Sequence, residues 1–189
     1  LSFELCSRPR NAAATREAIL VAANARFLAE SYDQVGMRDI ARDVGVDPAL
    51  ISRYFGSKED LFNSVLEGCG DGSDLTAGDR ATFGERVAHD LVYGPKKEFK
   101  LRWLLLMLRS ITSPKAAEII QRGSKAKFYQ PFTDWVGGED AEIKARMTAG
   151  FIMGLTVSRD ITGGFDMSPE QCERFKSRIA ATLQSLIDS

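Results

Sequence analysis

A chain of 189 residues, 44% hydrophobic and 27% charged, is long enough to bury a substantial core and too apolar to be disordered over most of its length. Its formal net charge of −1 neither favours nor excludes a nucleic-acid partner, which needs only a local basic surface. No apolar run approaches the roughly 20 residues that span a bilayer. Three scattered cysteines (Cys6, Cys69, Cys172) and a single histidine (His89) argue against a disulfide framework, a zinc site or a histidine-based triad.

The first ten residues place Arg8 and Arg10 after the apolar positions, the reverse of a secretory signal, so a cytoplasmic protein is expected. Residues 12–31 carry Ile19, Ala23 and Phe27 at i, i+4, i+8, with Leu20 and Leu28 beside them, one face of a helix. Met37, Ile40, Ala41 and Val44 give a short amphipathic helix that Gly45 stops. Asp47-Pro48 restarts a helix, with Asp47 as N-cap and Pro48 at the first helical position; Ile51, Tyr54 and Phe55 form its apolar face. Gly56 ends it. Ser57 to Asp60 then opens another helix with a capping-box pattern, carrying Leu61, Val65 and Leu66.

Five glycines between Gly68 and Gly84 suggest a flexible linker. The run Gly68-Cys69-Gly70-Asp71-Gly72 follows no strand, so it is not a dinucleotide loop. Beyond it the spacing predicts helices near Arg86–Tyr93, Lys96–Ile111, Pro114–Trp135, Ala141–Ile161 and Pro169–Ile187. Ser113-Pro114 and Ser168-Pro169 are N-cap signals, and Ser168 to Gln171 completes a capping box. The expected fold is therefore all-α, with a domain over 1–67 and a second over 68–189.

Met37 to Tyr54 has the organisation of a helix-turn-helix, two short helices joined by Gly45-Val46-Asp47. Ala41 allows close approach, Gly45 makes the turn, and Val46 and Ile51 fill the space beneath. The outer face of the second helix is then free to enter a major groove. On spacing alone a helical hairpin with no DNA role remains the alternative. The flanks carry more: Thr15 to Glu67, above all "MRDIARDVGV" and "RYFGSKEDLF", resembles the DNA-binding domain of the tetracycline-repressor (TetR) family.

That resemblance implies an N-terminal three-helix DNA-binding domain, extended by a fourth helix. It puts Arg53 and Tyr54 on the recognition helix facing DNA and Lys58 at the phosphate-contacting start of the fourth helix. Pro48, Ala49, Leu50 and Ser52 lie on or near the recognition surface, and Ile51 and Phe55 belong to the core. Gly36 departs from the Thr or Ser that usually opens the second helix, so no hydroxyl is offered to a phosphate there. Residues 1–67 hold eight Lys/Arg and ten Asp/Glu, a net of −2. Useful positive charge must therefore collect on one face: Arg8 and Arg10 in an N-terminal arm, with Arg38, Arg42, Arg53 and Lys58. Arg53 reads either a guanine or a phosphate, with phosphate slightly favoured.

The family's C-terminal regions pair subunits and enclose ligands, which implies a homodimer and a small-molecule effector. Met147, Gly150, Phe151, Gly154 and Leu155, with Phe175, Ile179, Leu183, Leu186 and Ile187 on the last helix, are the candidate dimer stripes; an intrachain core is the alternative. The segment Trp103–Leu108 is apolar all round and is expected to be buried on every side. With Phe99, Ile111, Phe128, Phe132 and Trp135, its Trp103 and Met107 are candidates for an apolar pocket. Arg102, Arg109, His89, Tyr129 and Arg159 are its candidate polar groups, each also suited to a salt bridge or a helix end. The expected partners are double-stranded operator DNA, an effector and a second copy of the chain, with no membrane, cofactor or metal. The function implied is a repressor released from its operator by a largely apolar ligand. Its rivals are a ligand-independent DNA-binding regulator and a helical enzyme; against the enzyme, no paired carboxylates, Cys/His couple or phosphate loop stands out.

Overall fold

The computed structural model describes residues 8–68, 73–95 and 98–189, with side chains described over 12–68, 75–95 and 102–189. Cys6, Cys69, Gly70 and Gly72, and the side chains of Arg8, Arg10 and Phe99, lie outside the described residues. The described chain is helical throughout and includes no strand. It divides into two compact units, Leu1–Cys69 with Arg102–Gln121, and Gly70–Leu101 with Arg122–Ser189.

The first unit is built on α1 (Arg8–Ala29), α2 (Met37–Val44), α3 (Pro48–Phe55) and α4 (Lys58–Glu67). Ile19, Ala23 and Phe27 of α1 are buried, as their spacing predicts, and pack with Ile40, Ala41, Ile51, Leu61 and Phe62. Phe27, Tyr32 and Phe62 form an aromatic triad with centroids 4.8–5.9 Å apart. Residues 102–121, from α7 (Glu98–Ser110) and α8 (Pro114–Ser124), add Leu106, Ala116 and Ile119 to the same core.

The apolar run in α7 departs from expectation. Leu106 is fully buried, but Leu105 is 37% and Leu108 54% exposed. One edge of the helix, Trp103 and Leu106, meets the core of this unit, and a single edge cannot bury a run that is apolar all round. Ile111, just beyond the helix, is also exposed.

The second unit contains α5 (Ser73–Thr76), α6 (Phe83–Tyr93), α9 (Gln130–Val136), α10 (Ala141–Asp160) and α11 (Pro169–Asp188). From Ser73 onward the glycine-rich stretch is largely helical rather than a linker. Asp79 caps a turn of 3-10 helix over Arg80–Thr82, and α6 begins directly after it. Gly84 is buried where α6 meets α11, and a Cβ there would lie 2.2 Å from the Ala180 carbonyl oxygen. Close helix approach, rather than flexibility, explains this glycine. Phe83, Val87 and Leu91 of α6 face Ile179, Leu183 and Ile187 of α11 in the unit's core.

The helix expected over Pro114–Trp135 changes pitch midway. A π-helical turn, Lys125–Tyr129, joins α8 to α9, and the Gln130 N–H donates to the Lys125 carbonyl. Pro131, which lacks an N–H, follows at once, so the wide turn and the missing donor fall together. Two arginines close helix ends in this unit. Arg80 donates to the carbonyls of Val136 and Ile187. Arg159, nearly buried and 2.7 Å from the Asp160 carboxylate, donates to the carbonyls of Asp90, Leu91 and Gly94 at the end of α6.

Candidate nucleic-acid interface

The turn between α2 and α3 is fixed by backbone geometry. Gly45 adopts φ 74°, ψ 35°, a left-handed conformation that costs glycine little. The N–H of Val46 reaches the Ala41 carbonyl at 3.0 Å and that of Gly45 the Arg42 carbonyl at 3.2 Å, which satisfies the end of α2. Asp47 then caps α3, its carboxylate accepting from the Ala49 N–H at 2.7 Å, with Pro48 at the first helical position. The α3 face carrying Ile51 and Phe55 is buried. The opposite face presents Pro48, Ala49, Ser52 and Arg53 to solvent, with Leu50 and Tyr54 half-buried at its margins.

Two further contacts anchor this unit. Arg26 of α1 grips both carboxylate oxygens of Asp43 near the end of α2, at 2.5 and 2.9 Å, and also reaches Glu30 at 3.0 Å. The hydrogen bond from Arg26, reinforced by charge, holds the Asp43 carboxyl below its ordinary pKa, and Asp43 raises that of Arg26. Arg16 lies over the Phe55 ring at 4.7 Å. The spacing of Arg26, seventeen residues before Asp43, gave no local signal of this pairing.

Arg38 and Arg53 are exposed and make no ion pair within 4.0 Å among the described residues, whereas Arg42 is paired with Asp39 at 3.0 Å. Lys58 opens α4 behind a complete capping box in which Ser57 and Asp60 exchange hydrogen bonds at 3.1 Å. Its ammonium sits 4.4 Å above the Tyr32 ring. Burial pulls its pKa down, while Asp33 and Glu59 push it back up. Gly36 supplies no side-chain cap to α2, and a Cβ there would lie 2.6 Å from the Asp39 carboxylate. A carboxylate thus stands beside the position where the family resemblance would put a phosphate-binding hydroxyl.

The other candidate residues fall into separate groups. Trp103 packs in the first unit and Met107 is half-buried there. Phe128, Phe132 and Trp135 belong to the second unit, where Phe132 stacks on both Phe128 and Trp135 at 5.7 Å and Phe83 lies tilted against Phe132 and Trp135 at 6.0 and 5.3 Å. Phe83 was hidden by the linker reading, although Phe83, Val87 and Leu91 keep helical spacing. Of the polar candidates, Arg159 caps α6, His89 lies against Tyr93, and Tyr129 faces the Arg146 guanidinium at 5.2 Å.

The candidate dimer stripes also divide. Ile179 and Leu183 are fully occupied within the chain against α6, so they offer nothing to a partner. Phe151 and Leu155 are half-buried against the same core. Met147 is 55% exposed on α10, with Ile143 one turn before it as open, and a Cβ at Gly150 or Gly154 would meet nothing within 4 Å.

Among the described residues no helix is long and apolar enough to cross a membrane. A search of curated protein sequences gave no match. Residues 19–65 match the sequence profile described as bacterial regulatory proteins, tetR family. Residues 81–187, more than half of the chain, match the profile described as tetracyclin repressor-like, C-terminal domain. Solved structures share the fold. NalD of Pseudomonas aeruginosa, the secondary repressor of the MexAB-OprM multidrug efflux pump, is 22% identical over 90% of this chain and 95% of its own, with a TM-score of 0.65. A TetR-family regulator from Streptomyces coelicolor A3 is 28% identical over 97% and 99%, with a TM-score of 0.59. GusR of Salmonella enterica is 17% identical over 98% and 100%, with a TM-score of 0.66. With both halves matched and the helix-turn-helix geometry in place, the chain belongs to the TetR family and is a DNA-binding transcriptional regulator, not an enzyme.

Proposed function

We propose that this regulator is a repressor that grips its operator as a homodimer and is released by a small, largely apolar ligand. The observation that carries the DNA side is the exposed α3 face, Pro48, Ala49, Ser52 and Arg53, held on a core that leaves it free to enter a major groove. Pro48, Ala49 and the edge of Leu50 suit thymine methyl contacts. Arg38, Arg53 and Lys58 supply the phosphate grip, and Tyr54 steadies the end of the helix from its half-buried position. The compact unit that holds this reader does not end at residue 68, as the sequence suggests, but also takes in residues 102–121.

Two half-sites require two readers. The face of α10 bearing Ile143, Met147, Gly150 and Gly154 recurs at helical spacing and is open in the isolated chain, which supports it as the pairing surface. Its glycines let a second helix approach closely. Phe151 and Leu155 would back that surface from inside.

The ligand reading rests on the aromatic stack of Phe83, Phe128, Phe132 and Trp135, which borders the π-helical turn, a feature common near functional sites. On α10, Thr148 is fully buried and its hydroxyl has no hydrogen-bond partner among the described residues. It lies one turn beyond Ala145, which packs in the same cluster as Phe132. An orphan hydroxyl in that position is the kind of group a bound ligand satisfies. Trp103 and Met107 are kept as secondary candidates. Ligand would act by favouring a conformer whose recognition helices no longer match successive major grooves, about 34–36 Å apart.

The test begins with selection of a duplex from a random-sequence pool by the purified protein. Enrichment of a palindromic site is expected, and an unenriched pool overturns the DNA reading. Small apolar compounds are then screened by Trp135 emission in a Trp103→Phe variant. A compound that binds must weaken binding of the selected duplex, and the duplex must weaken the compound by the same factor. Absence of that reciprocity favours the ligand-independent alternative.

A further inference from the structure

The loop between α1 and α2 is held by a residue from far along the chain. The Ser113 hydroxyl, in the turn between α7 and α8, donates to the Asp33 carboxylate at 2.9 Å. Ser113 is 1% exposed, whereas Asp33 is exposed. Both belong to the first unit. Beside Asp33 stands Tyr32, whose ring carries the Lys58 ammonium on its face. Lys58 makes no ion pair within 4.0 Å among the described residues, although Asp33 and Glu59 are close enough to raise its pKa. An exposed carboxylate and a half-buried ammonium are therefore neighbours without closing on each other. The Ser113 hydroxyl engages the one and the Tyr32 ring the other.

We propose that Ser113 is a positioning residue for DNA binding: by engaging Asp33 it keeps that carboxylate off Lys58 and leaves the ammonium free for a phosphate. The inference rests on the reading of Lys58 as a phosphate contact. It adds that the grip of α4 on the backbone is set by a residue in the α7–α8 turn, eighty residues after Asp33. When Ser113 is withdrawn, Asp33 loses its donor, and Lys58, whose charge it already feels, is a cation able to replace it. An internal ion pair then competes with DNA for the same ammonium. Glu59 lies on α4 itself and moves with Lys58, so its influence is the same in both arrangements.

The experiment is a double-mutant cycle read by DNA affinity as a function of salt. The probe is the duplex enriched by the wild-type protein. Ser113→Ala is expected to weaken binding several-fold at low salt and to lower the slope of log K against log salt by about 0.9 for each Lys58 neutralised. Asp33→Asn cannot form the ion pair, so it should bind as well as wild type or better. In the Asp33→Asn background, Ser113→Ala should then have no further effect on affinity or slope. Ser113 also caps α8 through the Ala116 N–H at 3.4 Å, so it is expected to lower the melting temperature equally in both backgrounds. The cycle removes that contribution. A purely structural contact predicts otherwise: Asp33→Asn does not rescue Ser113→Ala, and the double variant binds no better than Ser113→Ala alone. That result overturns the proposal while leaving the phosphate role of Lys58 intact. If Lys58→Ala itself leaves the salt slope unchanged, the underlying reading fails instead.

Discussion

Replacing a helical glycine by alanine ordinarily stabilises a protein by roughly 0.5–1 kcal/mol, because glycine loses more freedom on folding. Gly84 is expected to do the reverse. Its added Cβ would sit 2.2 Å from the Ala180 carbonyl oxygen and 3.0 Å from both the backbone nitrogen and Cβ of Gln184. The oxygen is backbone and cannot rotate aside, so α6 and α11 must separate by about an ångström, roughly the gap to ordinary contact distance. Separation also strains the 3.0 Å hydrogen bond from the Gly84 N–H to the Gln184 side chain. Overpacking of this kind costs about 1–3 kcal/mol and sometimes more. The clash exceeds the propensity gain, for a net loss of about 2 kcal/mol. In a chain of this length that is a fall of roughly 4–8 °C in melting temperature. The variant and wild type are to be melted by calorimetry at one protein concentration, since any dimerisation would make the midpoint concentration-dependent. An unchanged or raised melting temperature for Gly84→Ala would refute the reasoning.

Other outcomes follow from the same geometry. Met147→Glu, at an exposed site on α10, should yield monomer in analytical ultracentrifugation without loss of helix by circular dichroism, and an unchanged dimer removes α10 as the pairing face. Arg53→Ala should weaken all duplexes alike if the guanidinium holds phosphate; if it reads guanine, the loss of roughly 1–3 kcal/mol should fall on one base position. Asp43 is depressed below its ordinary value when folded, so its contribution is present above the unfolded pKa of about 3.9 and is lost as pH falls through the lower folded value. Asp43→Asn should therefore be less stable than wild type at pH 7 but show a shallower further decline below pH 4, and parallel acid melting curves count against the pairing with Arg26.

The helix-turn-helix was legible because its constraints are local. Gly45, Asp47-Pro48 and Ser57 to Asp60 each solve a backbone hydrogen-bonding problem within a few residues, and the apolar spacing of α1 and α3 names their buried faces directly. What the sequence concealed depends on which element packs on which. A glycine in a loop and a glycine at a helix crossing read alike, so Gly84 and its neighbour Phe83 were assigned to a linker. The α11 stripe was visible as a stripe, but its partner, α6 in the same chain, was not. The aromatic residues form one set by composition but pack in two cores, Trp103 in the first unit's and Phe128, Phe132 and Trp135 in the second's. Arg26 with Asp43 and Ser113 with Asp33 are long-range pairings between residue types that occur throughout any surface.

The charge arrangement of the first unit bears on how tightly this protein can hold DNA. A net charge of −2 over residues 1–67 gives no general attraction to a polyanion. Several of its cations are already engaged: Arg26 by Asp43 and Glu30, Arg42 by Asp39, and Arg16 against Phe55. Among the described residues Arg38, Arg53 and Lys58 make no ion pair within 4.0 Å, and under the proposed reading they face phosphates. If contacts are as few as this, they release few counterions, and affinity then depends more on pairing two readers and on the fit of α3 to its groove. Under that reading, each ammonium withdrawn from a half-site lowers affinity and salt slope together, so a local rearrangement around Lys58 would change occupancy without unfolding the helix-turn-helix.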